Sequence, residues 1–179
     1  MITCAIVGAT GLVGSTFLKV LEEKKLNIDE YYLFASERSK GKKITFMNKE
    51  YVVNELNENS FDEGFDFAIF SAGSDTSLKY SPIAASKGCI VVDNSSAFRM
   101  DENVPLVVPE VNPEEIKNNK GIIANPNCST IQAVLPLKVL DEKYKILVRS
   151  CCCLCPALHS RWSGWCSRLP SVRDHALRR

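Results

Sequence analysis

Short apolar runs alternate with amphipathic stretches over the first 146 residues, and this alternation is typical of a parallel α/β domain. The apolar runs predict buried strands at residues 2–7, 31–35, 65–70, 89–93 and 121–124, and a further one at 106–108. The amphipathic stretches predict helices at residues 15–24, 74–87, 113–117 and from 128 onward. Residues 43–47 and 51–55 predict a small side hairpin that turns at Asn48 and Lys49.

A glycine turn follows the first of these strands. Gly8, Gly11 and Gly14 lie between the apolar run and an amphipathic helix, and a strand, a glycine turn and a helix are the parts of a dinucleotide-binding unit. In such a unit Gly8 permits the tight turn and Gly11 lets the backbone approach a pyrophosphate. Gly14 lets the helix and the strand pack closely.

The residues after the second strand indicate which dinucleotide binds. An acidic residue at this place holds the ribose 2′-hydroxyl of NAD, whereas an arginine accommodates a 2′-phosphate. Arg38, flanked by Ser36 and Ser39, favours NADP. Glu37 favours NAD unless its side chain faces solvent, and a solvated surface turn is the alternative interpretation of this segment.

Two later loops follow strands at the edge where ligands bind in such sheets. Residues 71–73 are small and would let a nicotinamide or ribose lie close to the backbone. Residues 94–99 end in Arg99, whose guanidinium can grip a phosphate or a carboxylate with two N–H groups. The alternative is a surface ion pair between Arg99 and Asp101 or Glu102.

Residues 125–130, Asn-Pro-Asn-Cys-Ser-Thr, place Cys128 at the start of a predicted helix. Free N–H groups and the positive end of the helix dipole favour the thiolate, which is the nucleophilic form of cysteine. A buried structural cysteine is the alternative interpretation. The helix start and the upstream glycine turn favour the nucleophile.

The overall composition excludes several classes of protein. The chain has 179 residues, of which 45% are hydrophobic, enough for one domain with a core. The net charge of +1 does not indicate nucleic acid or a membrane surface as a partner. There is no apolar run of bilayer-spanning length and no signal peptide before the first strand, so we expect a cytoplasmic protein.

The composition changes abruptly near residue 147. Residues 147–179 hold five of the eight cysteines, both tryptophans and both histidines, and their basic residues are all arginine. A tail translated in a shifted reading frame would explain the change. The alternatives are an unusual disordered extension and a small zinc module with Cys152, Cys155, His159 and Cys166 as ligands.

Taken together, the motifs resemble those of aspartate-β-semialdehyde dehydrogenases. The resemblance runs from residue 1 to about residue 145, through residues 8–14, 36–39, 71–73, 94–99, 108–112 and 125–130. It implies a Rossmann-like, doubly wound, mainly parallel sheet. Residues 1–146 would form a dinucleotide-binding domain with the catalytic cysteine at its end, and the second domain of the family, which serves catalysis and dimerisation, would be missing.

The resemblance also implies a reaction. The family reduces aspartyl-4-phosphate to aspartate semialdehyde with NADPH, on the route to lysine, threonine and methionine. Cys128 would be the nucleophile, Arg99 would grip the phosphate and Asn127 would position the substrate. The implied cofactor residues are Gly8, Thr10, Gly11, Leu12, Val13, Arg38, Ser39 and Gly73. No metal, nucleic acid or membrane is implied, and intact members are expected to be homo-oligomers.

The missing domain limits what the chain is expected to do. The acid/base histidine of the family would lie in that domain, and neither His159 nor His175 is assigned its role. Because general acid–base catalysis contributes about 10²–10⁴-fold in rate, we expect negligible turnover from this chain. The alternative functions are an N-acetyl-γ-glutamyl-phosphate reductase, which the cysteine motif fits less well, and a non-catalytic nucleotide-binding remnant.

Overall fold

The computed structural model describes residues 1–145. The predictions made for residues 147–179, including the zinc module, lie outside the described residues. The strands are β1 (Thr3–Val7), β2 (Glu30–Ala35), β3 (Lys43–Phe46), β4 (Lys49–Val52), β5 (Asn54–Glu55), β6 (Phe67–Phe70), β7 (Ile90–Asp93) and β8 (Ile122–Ala124). The helices are α1 (Leu12–Lys24), α2 (Ser74–Ser86) and α3 (Cys128–Tyr144).

Six of the strands form one sheet in the order β5-β2-β1-β6-β7-β8. Every neighbouring pair in this sheet is parallel. The chain adds strands on one side of β1, returns to the other side at β6, and then continues outward, which is the doubly wound Rossmann topology. The predicted fold class is confirmed, and the reversal leaves a crevice between the carboxyl ends of β1 and β6.

The central strands are buried on both faces of the sheet. Successive residues of a strand point to opposite faces. Ile6 belongs to a core cluster with Leu18 of α1, whereas Val7 belongs to a second cluster with Ala84 of α2. This double burial explains why the strands appear in the sequence as continuous apolar runs without polar alternation.

The side-hairpin prediction is wrong in two respects. β3 and β4 do form an antiparallel hairpin, but Met47 and Asn48 make its turn, with φ angles of 49° and 58°. Two positive φ angles give the turn whose twist matches that of the flanking strands. Asn54 and Glu55 leave the hairpin and form β5, which pairs with β2 at the edge of the large sheet.

Two shorter elements also differ from their predictions. Residues 106–108 do not form a strand, because Leu106 makes only an isolated parallel bridge to Ala124. The segment predicted as a short helix is a 3₁₀ helix at Pro113–Asn118. α2 ends one residue before its predicted bound, and Gly88 lies just beyond it with a φ of 87°, the left-handed conformation that commonly ends a helix.

Two glycines allow α1 to pack against the end of β1. A Cβ atom at Gly14 would lie 2.0 Å from the carbonyl oxygen of Gly8. A Cβ atom at Gly8, where φ is 88°, would lie 2.4 Å from the carbonyl oxygen of Ser71, just after β6. Such a close approach of backbones requires residues without a side chain. The glycine turn, α1 and the end of β6 are therefore packed as one unit.

Gly14→Ala tests this close approach. Alanine favours a helix over glycine by about 1 kcal/mol. Overpacking typically costs about 1–3 kcal/mol, and the upper part of this range, about 2–3 kcal/mol, applies here, because the added Cβ overlaps a backbone oxygen and forces a backbone shift. We expect the free energy of unfolding to fall by about 1–2 kcal/mol, as measured by urea unfolding followed by circular dichroism. Gly11→Ala is the control, because its Cβ would lie 3.3 Å from the same oxygen. A Gly14→Ala chain as stable as the unmodified chain would contradict the prediction.

Candidate functional site

The loops that carry the predicted site residues all leave the sheet at its carboxyl edge, because the strands are parallel. They follow β1, β2, β6, β7 and β8 and begin at Gly8, Ser36, Ser71, Asn94 and Asn125. From β2 to β8 the edge crosses four strand spacings, which is about 19 Å at about 4.8 Å each. The loops therefore outline an elongated crevice that suits an extended ligand.

Two helices begin at the centre of the crevice without a side-chain cap. α1 follows Gly11 and α2 follows Gly73, and glycine has no side chain that could accept a hydrogen bond. The first helical bonds run from Ser15 N–H to Gly11 and from Ser77 N–H to Gly73, so the preceding N–H groups lie outside the helical pattern. Such helix ends attract anions. Predicted cofactor residues are located here: Gly8, Thr10, Gly11, Leu12 and Val13 around the start of α1, and Gly73 before α2.

The turn after β2 lies beside the glycine loop. The hydroxyl oxygens of Thr10 and Ser39 are 3.3 Å apart, and Ser39 is buried. Ser39 therefore fastens the 3₁₀ helix Glu37–Ser39 to the loop that begins at Gly8. Glu37 and Arg38 are both exposed. Glu37 thus faces solvent, which is the condition under which Arg38 favours a 2′-phosphate.

Cys128 is the first residue of α3, and it is exposed. Asn127 caps the helix, because its Oδ1 accepts a hydrogen bond from Ser129 N–H at 2.9 Å, and the sulfur of Cys128 lies 3.8 Å from the same oxygen. Cys4 and Cys89 differ, since burial raises the pKa of each thiol to about 12. Of the cysteines in residues 1–145, only Cys128 has surroundings that suit a nucleophile.

Arg99 reaches from the loop after β7 to the turn before Cys128. Its Nε donates to the carbonyl oxygen of Asn125 at 2.9 Å, and its Nη2 donates to the carbonyl oxygen of Asn94 at 3.0 Å. Asp101, which was the alternative partner, accepts hydrogen bonds from the next asparagine of its own loop. The guanidinium is therefore held at the ends of β7 and β8. One of the carbonyls that hold it belongs to Asn125, three residues before Cys128.

Asn94 and Asn125 join the loop after β7 to the loop after β8, and neither of them was assigned to the site from the sequence. Asn125 Nδ2 donates to Asn94 Oδ1 at 2.7 Å, and Asn125 N–H donates to the carbonyl oxygen of Asp93 at 2.8 Å. The sequence motifs contain both asparagines without indicating a role for either. No local sequence signal indicates their contact. It follows from the strand register, because Asp93 pairs with Ala124 and the residues after them lie side by side.

Asp93 is fully buried and anchors the start of the loop that carries Arg99. Its carboxylate accepts hydrogen bonds from the hydroxyls of Ser77 and Ser95, each at 2.7 Å, and from Ser95 N–H at 3.2 Å. The hydroxyl oxygen of Ser95 in turn accepts from Ala97 N–H at 3.0 Å. These bonds compensate for the burial of the carboxylate and fix the loop to both β7 and α2.

Hydrogen bonds join predicted site residues at two places along the crevice. Thr10 and Ser39 meet beside the ends of β1 and β2, and Arg99 meets the turn before Asn127 and Cys128 at the ends of β7 and β8. Residues 1–145 contain no group of three or more histidine, cysteine or acidic side chains that could hold a metal ion. The same part of the chain contains no helix that is long and apolar enough to cross a membrane.

Comparisons with known proteins identify the family of this chain. A family model described as "Semialdehyde dehydrogenase, NAD binding domain" matches residues 3–119. An aspartate-semialdehyde dehydrogenase of Aquifex aeolicus is 63% identical over 142 residues, which make up 78% of this chain and 42% of the relative. The chain thus spans less than half the length of this relative.

Solved structures are similar in fold and in sequence. Aspartate semialdehyde dehydrogenase II of Vibrio cholerae, complexed with ASA, matches with a TM-score of 0.73 and 48% identity over 79% of this chain and 46% of that one. The enzyme of Candida albicans, solved with NADP, matches with a TM-score of 0.70 and 31% identity over 82% of this chain and 48% of that one. Because the family model covers more than half of its residues, the chain belongs to the family of semialdehyde dehydrogenase NAD-binding domains.

Proposed function

We propose that this chain provides the NADP-binding and nucleophilic part of an aspartate-semialdehyde dehydrogenase. The observation that carries the proposal is the exposed Cys128 at the start of α3, with Arg99 hydrogen-bonded to the turn just before it. The reaction is the reductive dephosphorylation of aspartyl-4-phosphate, a step toward lysine, threonine and methionine. A homo-oligomeric state and a cytoplasmic location belong to the same proposal and rest on the family resemblance.

The centre of the crevice fits a dinucleotide. A Cβ atom at Gly73 would meet no other atom within 4 Å, and Leu12 is 87% exposed at the start of α1. Open space therefore adjoins both helix starts, where N–H groups outside the helical pattern suit a pyrophosphate. Arg38 and Ser39 lie after β2, where a 2′-phosphate is read in such folds. The similarity to a relative solved with NADP supports the same choice of cofactor.

Cys128 acts as the nucleophile in this proposal. Its sulfur is exposed at the start of α3 and, as the thiolate, attacks the carbonyl carbon of the acyl phosphate. The bond from that carbon to the phosphate oxygen breaks, inorganic phosphate leaves with the electron pair, and a thioester of Cys128 remains. When bound, the dinucleotide would supply the hydride that reduces the thioester. As a C–H bond forms at the acyl carbon, the C–S bond breaks, so that the aldehyde is released and Cys128 leaves as the thiolate.

Arg99 and Asn127 stabilise charge around this sulfur. Two carbonyl oxygens fix the plane of the Arg99 guanidinium, a group that binds phosphate through paired N–H donors. Arg99 therefore holds the phosphate that leaves. The Oδ1 of Asn127 faces the helix start, so the Nδ2 group is the part of this residue that donates to the developing oxyanion.

The comparisons support an aspartyl substrate over the acetylglutamyl phosphate of the alternative reductase. The relative from Aquifex aeolicus is an aspartate-semialdehyde dehydrogenase at 63% identity. The structure from Vibrio cholerae, at 48% identity, was solved with ASA bound. An acyl phosphate of aspartate is therefore the substrate that we assign to Cys128.

The reactivity of the three described thiols tests the proposed nucleophile. At pH 8 a thiol with a pKa of about 12 is ionised in only about one molecule in 10⁴, so Cys4 and Cys89 should resist iodoacetamide. We expect Cys128 to be alkylated at least about 100-fold faster, as measured by mass spectrometry of the separate peptides. Urea-unfolded chain is the control, because Cys4 and Cys89 should then react as well. Equal rates for the three peptides in the folded chain would refute the assignment.

Arg38→Ala tests the preference for NADP. Loss of a charge-assisted hydrogen bond costs about 1.5–3 kcal/mol, so the affinity for NADP⁺ should fall roughly 10- to 100-fold. The affinity for NAD⁺, which lacks the 2′-phosphate, should stay within about twofold, since none of its groups is expected to contact Arg38. Isothermal titration calorimetry measures both affinities. Lys40→Ala is the matched control, because it removes an exposed positive charge that pairs with Glu55. A similar loss of NADP⁺ affinity in both variants would leave Arg38 without a specific role.

A further inference from the structure

Asn94 and Asn125 have no part in the proposed chemistry, yet they connect the two loops that carry it. Their side chains meet at 2.7 Å, and both residues are half-buried. We propose that this amide pair is the positioning element that holds the guanidinium of Arg99 beside the thiol of Cys128. The inference rests on the proposed function, in which Arg99 and Cys128 act on one substrate.

Asn125 is attached to the neighbouring loop through three of its groups. Its N–H donates to the carbonyl oxygen of Asp93, its Nδ2 donates to Asn94 Oδ1, and its own carbonyl oxygen accepts from Arg99 Nε. All three partners lie in residues 93–99. The turn before Cys128 is therefore positioned against the loop of Arg99 and not independently of it.

The three residues form a closed ring of hydrogen bonds. Arg99 Nη2 donates to the backbone carbonyl of Asn94. The side-chain oxygen of Asn94 accepts from Asn125 Nδ2. The backbone carbonyl of Asn125 accepts from Arg99 Nε, which closes the ring. The amide pair is the only member of this ring that does not involve the guanidinium. The backbone bond from Asn125 N–H to the carbonyl oxygen of Asp93 keeps the two segments side by side without it. The amide pair adds the bond that fixes how the carbonyls of Asn94 and Asn125 are turned toward each other, and without it the plane of the guanidinium is no longer fixed.

A short and stiff connection transmits this position to the thiol. Pro126 follows Asn125, is buried, and has a φ angle fixed by its ring. Asn127 comes next and caps α3 at Cys128. The placement of Asn125 therefore determines the placement of the sulfur, and one residue orients both the cation and the nucleophile.

The charge preference of alkylation at Cys128 reports the position of Arg99. Iodoacetate is an anion and iodoacetamide is neutral, so a nearby guanidinium accelerates the first reagent and not the second. The ratio of the two rate constants corrects for changes in the exposure of the thiol. It is measured on the full chain at low salt, with the peptide that contains Cys128 quantified by mass spectrometry.

We expect Arg99→Ala to lower the iodoacetate-to-iodoacetamide ratio about threefold to fivefold, which is the size of a close charge interaction in water. Asn94→Ala and Asn125→Ala should each produce at least half of this loss. Neither should lower the ratio further when combined with Arg99→Ala. Asn103→Ala, an exposed asparagine of the same loop, is the matched control and should leave the ratio unchanged.

Two results overturn the inference and separate it from the proposed function. If Arg99→Ala lowers the ratio and neither asparagine variant does, the amide pair has no positioning role while the proposed function stands. If Arg99→Ala has no effect, Arg99 is not beside the thiol, and both the inference and the proposed function fail. Asn94→Ala and Asn125→Ala remove the same side-chain hydrogen bond, and Asn94→Ala does so without altering the turn before Cys128. If one of the two variants misfolds, the other still tests the inference.

Discussion

The hydrogen-bond register between β7 and β8 is the constraint on which the candidate site depends. Asp93 pairs with Ala124, and the residue after each of them is an asparagine. Ala124 is fully buried, and its N–H donates to the carbonyl oxygen of Pro105, so the register is held from both sides of β8. A shift of one residue would turn β8 over. It would also separate Arg99 from the carbonyl that accepts its Nε.

The glycine turn and the loops that carry Arg99 and Cys128 are held by different means. At the start of α1 the structure depends on residues without a side chain, because Gly8 and Gly14 let α1 and the backbone at Ser71 approach the end of β1. At the ends of β7 and β8 it depends on hydrogen bonds from side chains, which join Arg99 and Asn94 to Asn125, 26 and 31 residues further along the chain. The first arrangement leaves the N–H groups at the start of α1 outside the helical pattern. The second connects the loop of Arg99 to the turn before Cys128.

This difference explains what could be predicted from the sequence. Strands buried on both faces appear as apolar runs, so β1, β6 and β7 were located within two residues of their observed bounds. Glycine spacing and the cap residue before Cys128 are local signals, and they placed α1 and the start of α3. The turn at Met47 had no such signal, because a methionine with positive φ is uncommon.

The amide pair of Asn94 and Asn125 could not be found from such local signals. Asn94 and Asn125 are 31 residues apart, and their contact exists only because β7 and β8 are neighbours in the sheet. Strand order is a property of the whole fold and not of any segment. The two residues of β5 were assigned to the side hairpin for a related reason, since so short a strand carries no periodicity of its own that would separate it from β4.

The buried residues that hold α3, and with it Cys128, lie near the start of the helix. Thr130 and Val134, in the first two turns, are buried, whereas Val139 and Tyr144 near the other end are each 65% exposed. The core therefore fixes the first turns of the helix, which begin at Cys128. Asn127 caps this end, and two residues before it Asn125 bonds to Asp93 and Asn94 at the end of β7. The β7–β8 register and the amide pair act together, and they relate the proposed nucleophile to Arg99.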